Sequence, residues 1–251
     1  MIYFIGGGPG DPELITVKGA RIIAGADVVI YAGSLVNRSL LDGCKPGAEI
    51  HNSAGMNLDE VLEVFFRAEK EGKTVARVHT GDPAVYGAIQ EQMDALAERG
   101  IPFEVVPGVS SVFAAAAAIP RELTLPGVSQ TVILTRLEGR TPVPEGEKLR
   151  DLAGHRCTMC IFLSVDQIDR VVAELLEGGY TPDTGVAVVE KASWPDQRVI
   201  RGTLEEIGDL VRSAGIKRQA LILVGNVFNS EYLKSSLYDK NFSHGFRGRS
   251  Q

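Results

Sequence analysis

Short apolar runs alternate with amphipathic stretches from the first residues onward. Ile2–Ile5 reads as a strand, Pro12–Ala24 as a helix and Asp27–Tyr31 as a second strand. Leu58–Glu71 carries helical spacing, with Asn57 placed to cap it. Thr74–Val78, Ala88–Arg99, Phe103–Val106 and Val112–Ala118 continue the alternation as strand, helix, strand and helix. This order predicts a mostly parallel sheet covered by helices. Pro120, Pro126 and Gly127 then interrupt the pattern, and the grammar changes. Strands are expected at Gln130–Thr135, Cys157–Leu163, Gly185–Glu190, Arg198–Gly202 and Ala220–Val224, with helices at Gln167–Leu176 and Leu204–Ser213. Two of these strands meet around Trp194-Pro195-Asp196 as a hairpin, which predicts a mixed sheet. The expected fold is therefore α/β in two domains, 1–120 and 127–228, followed by a loosely ordered polar tail at 229–251. A cleft between two such domains is the expected place for a small-molecule ligand.

Composition narrows the function classes. With 251 residues and 44% hydrophobic content the chain can bury a full core. A net charge of −6 argues against a nucleic-acid surface, which needs a basic face. No apolar run reaches the roughly eighteen residues of a membrane span. The N-terminus enters a strand directly, so the expected location is the cytoplasm. Three cysteines do not make a disulfide scaffold. Cys157 and Cys160 lie in an apolar run where their thiols face opposite sides of a strand, as small buried hydrophobes do. No second cysteine pair or histidine spacing completes a metal site, and none is expected.

The candidate chemistry lies at three turns. Gly6-Gly-Gly-Pro-Gly-Asp-Pro12 follows the first strand, Thr80-Gly-Asp-Pro83 follows a second, and Pro107-Gly-Val-Ser-Ser111 follows a third. Each leads from a strand into a helix, where open α/β sheets bind ligands. Three such turns at the ends of one parallel sheet are expected to converge. The first is not a dinucleotide fingerprint, because Asp11 stands where the third glycine of G-x-G-x-x-G belongs. No G-x-x-x-x-G-K-[ST] follows, so it is not a P-loop.

These three turns, together with Gln197–Thr203 and Ala220–Gly225, resemble the signature of the tetrapyrrole (corrin/porphyrin) methylase family over almost the whole chain. Tyr31–Val36, Ala54–Glu60, Arg77–Pro83, Gln130–Arg136, Glu138–Arg140 and Tyr238–Arg247 are similar to the members that methylate C11 of precorrin-4 or its cobalt form. A sister activity at another ring carbon (C2/C7, C17 or C20) is the alternative. The resemblance implies a homodimer that takes a tetrapyrrole substrate and S-adenosylmethionine, releasing S-adenosylhomocysteine. It places Pro9, Thr80, Gly81, Asp82, Val85, Ser110, Ser111, Leu163, Ala192 and Ala220 at the cofactor. Ser111, Leu163 and Ala192 depart from the residues common at their positions. Bare backbone and small side chains suit a sulfonium and an adenine better than histidine or carboxylate clusters do. Asp82, His79 and Tyr86 are the candidates for moving a proton. Arg38, Arg121, Arg136 and Arg140 are the candidates for holding substrate carboxylates, because a guanidinium binds them in a bidentate fork.

Overall fold

A computed structural model describes residues 1–235, Leu237, Asp239, Phe242, Ser243 and Gly245. The chain divides into two compact units. The first comprises Met1–Ala115 together with Lys191–Gln197, and the second comprises Ala116–Glu190 and the chain from Arg198 onward.

The first unit runs β1 (Ile2–Gly6), α1 (Val17–Gly25), β2 (Val28–Tyr31), β3 (Glu49–Asn52), α2 (Leu58–Lys70), β4 (Val75–His79), α3 (Gln90–Glu98) and β5 (Phe103–Val106). Helix α4 (Ser111–Ala118) follows and crosses into the second unit. The five strands form one parallel sheet in the order β3-β2-β4-β1-β5. Both faces are buried, as near-continuous apolar strands require. Phe4, Ile30 and Val75 pack with Val64 and Phe65 of α2 and Leu96 of α3, while Ile5, Val29 and Val78 pack on the other side with Ile23 of α1.

The stretch expected as one helix from Pro12 is two elements. Pro12–Leu14 is a single 3-10 turn capped by Asp11, and Ile15 and Thr16 are extended. The Thr16 hydroxyl then accepts from the Gly19 N–H at 3.1 Å and starts α1 afresh.

The second unit contains β6 (Val132–Arg136), α5 (Leu149–Ala153), β7 (Thr158–Phe162), α6 (Ile168–Glu177), β8 (Gly185–Glu190), β9 (Arg198–Thr203), α7 (Leu204–Ser213) and β10 (Ala220–Val224). Its sheet has the order β6-β7-β10-β8-β9 and is mixed: β6 and β7 are parallel, and the other neighbours are antiparallel. Met159, Ile161, Val188 and Ile222 pack against Leu175 of α6 and Ile207 and Val211 of α7. Cys157 and Cys160 are buried free thiols, and burial pushes Cys160 up to about 12. The first part of the expected loose tail is pinned: Leu233 N–H donates to the Pro126 carbonyl at 3.1 Å, and Arg121 donates to the Ser230 carbonyl at 3.2 Å. The Tyr238–Arg247 motif lies largely outside the described residues. Among the described residues no helix is long and apolar enough to cross a membrane.

Candidate active site

Strands β4, β1 and β5 are neighbours, so the three glycine turns leave the sheet side by side. They also bond to one another. Gly7 N–H donates to the His79 carbonyl at 2.7 Å, and Gly81 N–H donates to the Gly8 carbonyl at 2.8 Å. A Cβ on Gly6 would lie 2.5 Å from the Gly108 Cα and 2.7 Å from the Gly81 oxygen. No side chain fits between the first and third turns, and the surface they offer is backbone.

Asp82 ties this surface together. One carboxylate oxygen accepts from the Ala84 N–H and the other from the Gly108 N–H, each at 2.8 Å. With both oxygens engaged by backbone, Asp82 is built to hold the second turn against the third.

His79 is 4% exposed, and its Nε2 finds no hydrogen-bond partner among the described residues. Burial first, and then the charge of Arg77, push its pKa down to about 3, against an opposing hydrogen bond with the Gly87 backbone. The imidazole is therefore neutral at pH 7 and is suited to hydrogen bonding rather than to storing a proton. Arg77 is itself buried, which lowers it to about 10 and leaves it charged at neutral pH. It donates to the Gln92 side-chain oxygen at 3.3 Å and to the Ser53 hydroxyl at 2.9 Å, both neutral groups. Gln92 in turn donates to the Ala88 carbonyl at 2.8 Å. That chain of contacts supports a loop in which Tyr86 and Ala88 adopt positive φ of 55° and 48°. Such backbone strain in non-glycine residues concentrates at functional sites. Tyr86, at the crest, is exposed.

Pro9, Thr80, Gly81, Asp82, Val85, Ser110 and Ser111 thus occupy one end of the first sheet, on the three turns and the loop and helix that continue them. Ala192 belongs to the same unit, and the residue after it accepts a hydrogen bond from the first turn. Leu163 and Ala220 belong to the second unit, at one end of its sheet. The pairing of Ile222 with Ile161 carries Ala220 to Leu163. Leu163 is 67% exposed with φ of 52°, a strained position for a large apolar side chain.

The four arginines separate into two kinds. Arg121 donates to the carbonyls of Val227 and Ser230, and Arg136 to those of Leu137, Thr141 and Pro142. Arg136 is spent on its own loop, and Arg121 on the segment that follows β10. Arg38 and Arg140 are exposed and make no hydrogen bond or ion pair among the described residues. Arg38 follows Asn37, whose amide donates to the Gly10 carbonyl at 2.8 Å, so it stands beside the first turn.

Sequence reasoning missed three supporting groups. Trp194 Nε1 donates to the Pro9 carbonyl at 3.0 Å, the Ser193 hydroxyl accepts from the Asp11 N–H at 2.9 Å, and Asn37 holds Gly10. Their partners are distant in sequence, and no local pattern marks them.

A family model for the tetrapyrrole (corrin/porphyrin) methylases matches residues 1–208. The chain belongs to this family. This methylase is 60% identical to a cobalt-precorrin-4 C(11)-methyltransferase of Methanocaldococcus jannaschii, over 98% of the chain and 95% of the relative. An X-ray structure of a cobalamin biosynthetic enzyme, cobalt precorrin-4 methyltransferase, is similar with a TM-score of 0.89 and 54% identity, covering 91% of this methylase and 96% of that chain. A uroporphyrin-III C-methyl transferase of Thermus thermophilus complexed with S-adenosylhomocysteine has a TM-score of 0.76 at 30% identity, covering 91% and 93% of the two chains.

Proposed function

We propose that the chain methylates C11 of cobalt-precorrin-4 in cobalamin biosynthesis, using S-adenosylmethionine and releasing S-adenosylhomocysteine. The observation that carries this reading is full-length 60% identity to a C(11)-methyltransferase in a chain whose three glycine turns close on one another. The residues present suit the cofactor. A surface of bare backbone at Gly6, Gly8, Gly81 and Gly108 allows a ligand to approach without meeting a side chain.

Bound S-adenosylmethionine supplies a methyl group on a positively charged sulfur. Ring carbon C11 provides the electron pair: the C11–CH3 bond forms as the S–CH3 bond breaks, the broken bond's electrons stay on sulfur, and a ring N–H proton is then lost. The chain's own contribution is mainly orientation, which can remove roughly 7–11 kcal/mol from such a barrier. Asp82 holds the second and third turns in register, and neutral His79 and Tyr86 stand at the edge of the second turn. Arg38 is the residue we assign to a substrate carboxylate, because its guanidinium is uncommitted among the described residues and it follows Asn37, which bonds the first turn. Arg38→Ala is expected to raise KM for the tetrapyrrole about ten-fold with KM for S-adenosylmethionine unchanged; equal rises in both would remove that assignment. We further propose a cytoplasmic homodimer, which light scattering on the purified chain would contradict by returning a monomer mass.

The experiment is turnover of cobalt-precorrin-4 with S-adenosylmethionine, following S-adenosylhomocysteine release and substrate mass together. Matched release and addition of one methyl group are expected. Release without methylated macrocycle, or neither, contradicts the reading, and faster turnover of metal-free precorrin-4 reassigns the substrate.

A further inference from the structure

The segment Lys191–Gln197 joins β8 to β9 of the second unit yet groups with the first. Its contacts concentrate on three consecutive residues of the first glycine turn. The Trp194 indole N–H donates to the Pro9 carbonyl at 3.0 Å, and the Ser193 hydroxyl accepts from the Asp11 N–H at 2.9 Å. Between them the indole lies flush on Gly10, where any Cβ would collide with the ring. The Asn37 side-chain amide donates to the Gly10 carbonyl at 2.8 Å. Pro9, Gly10 and Asp11 are thus each held by a side chain.

The segment is rigid enough to do this. Lys191 and Ser193 adopt φ of 48° and 68°, which non-glycine residues seldom do. Trp194 N–H donates to the Lys191 carbonyl at 2.9 Å, and Gln197 N–H to the Trp194 carbonyl at 3.0 Å. The Gln197 side chain accepts from the Ser193 N–H at 2.7 Å, and Lys191 pairs with Asp196. Strain over-determined in this way marks a segment with a task beyond chain reversal.

We propose that Trp194, assisted by Ser193, is the positioning residue of the cofactor turn. It holds Pro9-Gly10-Asp11 in the conformation that receives S-adenosylmethionine, and so sets cofactor affinity without touching the reacting atoms. This rests on the cofactor reading given above. Trp194 is the one tryptophan of the chain, so its fluorescence reports on this contact alone.

The test uses the full chain. Wild type is titrated with S-adenosylhomocysteine by calorimetry and by tryptophan fluorescence, and Trp194→Phe and Ser193→Ala are titrated by calorimetry. Phenylalanine keeps a ring against Gly10 but loses the N–H, and alanine at 193 removes the acceptor with the indole intact. We expect the wild-type fluorescence to change with the calorimetric affinity. Each variant should bind about three- to ten-fold more weakly, the worth of one hydrogen bond. KM for S-adenosylmethionine should rise by the same factor, with kcat changing less than KM. A merely structural tryptophan would lower the melting temperature without this split. Wild-type affinity and KM in both variants, with silent wild-type fluorescence, overturn the positioning role alone. Failure of wild type to bind S-adenosylhomocysteine overturns the cofactor reading and the inference with it. If Trp194→Phe does not fold, Ser193→Ala carries the same comparison.

Discussion

The approach of Gly6 to Gly108 tolerates no side chain on either residue. A methyl group on Gly108 would lie 2.6 Å from the Gly6 Cα, and the obstacle is backbone, which cannot swing aside. Gly108→Ala is therefore expected to destabilise the chain by about 1–3 kcal/mol and to abolish measurable S-adenosylhomocysteine binding. Calorimetry and denaturant unfolding check both, and intact binding would show that the turns need not close. His79 leads to a pH prediction. Its native pKa of about 3 lies below the ordinary 6.5, so between those values the unfolded chain holds a proton that the native chain does not. Its contribution to stability is full above pH 6.5 and is lost as pH falls through this window. Between pH 7 and pH 5 the loss from this one site is about 2 kcal/mol. In His79→Gln the drop in unfolding free energy over that range should be smaller by that amount. An unchanged drop would mean that His79 is protonated in the folded state. At this scale the glycines and prolines of the turns were legible in the sequence, because their conformational demands are local. The commitments of Arg121 and Arg136 were not, because a sequence shows a guanidinium but not the carbonyls that accept from it.

Among the elements, α2 shows how a local signal becomes structure. Asn57 accepts from the Glu60 N–H at 3.0 Å, and the Glu60 carboxylate accepts from the Asn57 N–H at 2.7 Å, a reciprocal cap that fixes where the helix begins. Asn57→Ala should cost about 1 kcal/mol in chemical unfolding without altering cofactor affinity. A change in affinity would tie this helix to the site. Elements with an apolar period or a cap, such as α2, α7, β8 and β10, could be read from the sequence to within a residue or so. Strand β3 could not: Glu49-Ile-His-Asn52 is polar, lies at the sheet edge, and is a strand only because β2 pairs with it. Nor could α5, five residues long and without a side-chain cap. The segment Lys191–Gln197 was readable as the tip of a hairpin but not as the support of the first turn. Its bonds to Pro9 and Asp11 span 185 and 182 residues of sequence, and no periodicity carries information that far.

At the scale of the whole molecule, an acidic chain with a net charge of −6 is proposed to receive a substrate bearing many carboxylates. Local cations such as Arg38 must then outweigh the overall field, and binding of the tetrapyrrole should weaken as salt is added. A parallel first sheet and a mixed second sheet were predictable from the change of pattern along the chain, since parallel and antiparallel strands place different demands on their connections. The carbon that is methylated defines the activity. Turnover of cobalt-precorrin-4 with S-adenosylmethionine carrying a carbon-13 methyl group, followed by carbon NMR of the product, tests it most directly. A single labelled methyl on C11 is expected; label on any other ring carbon would contradict methylation at C11.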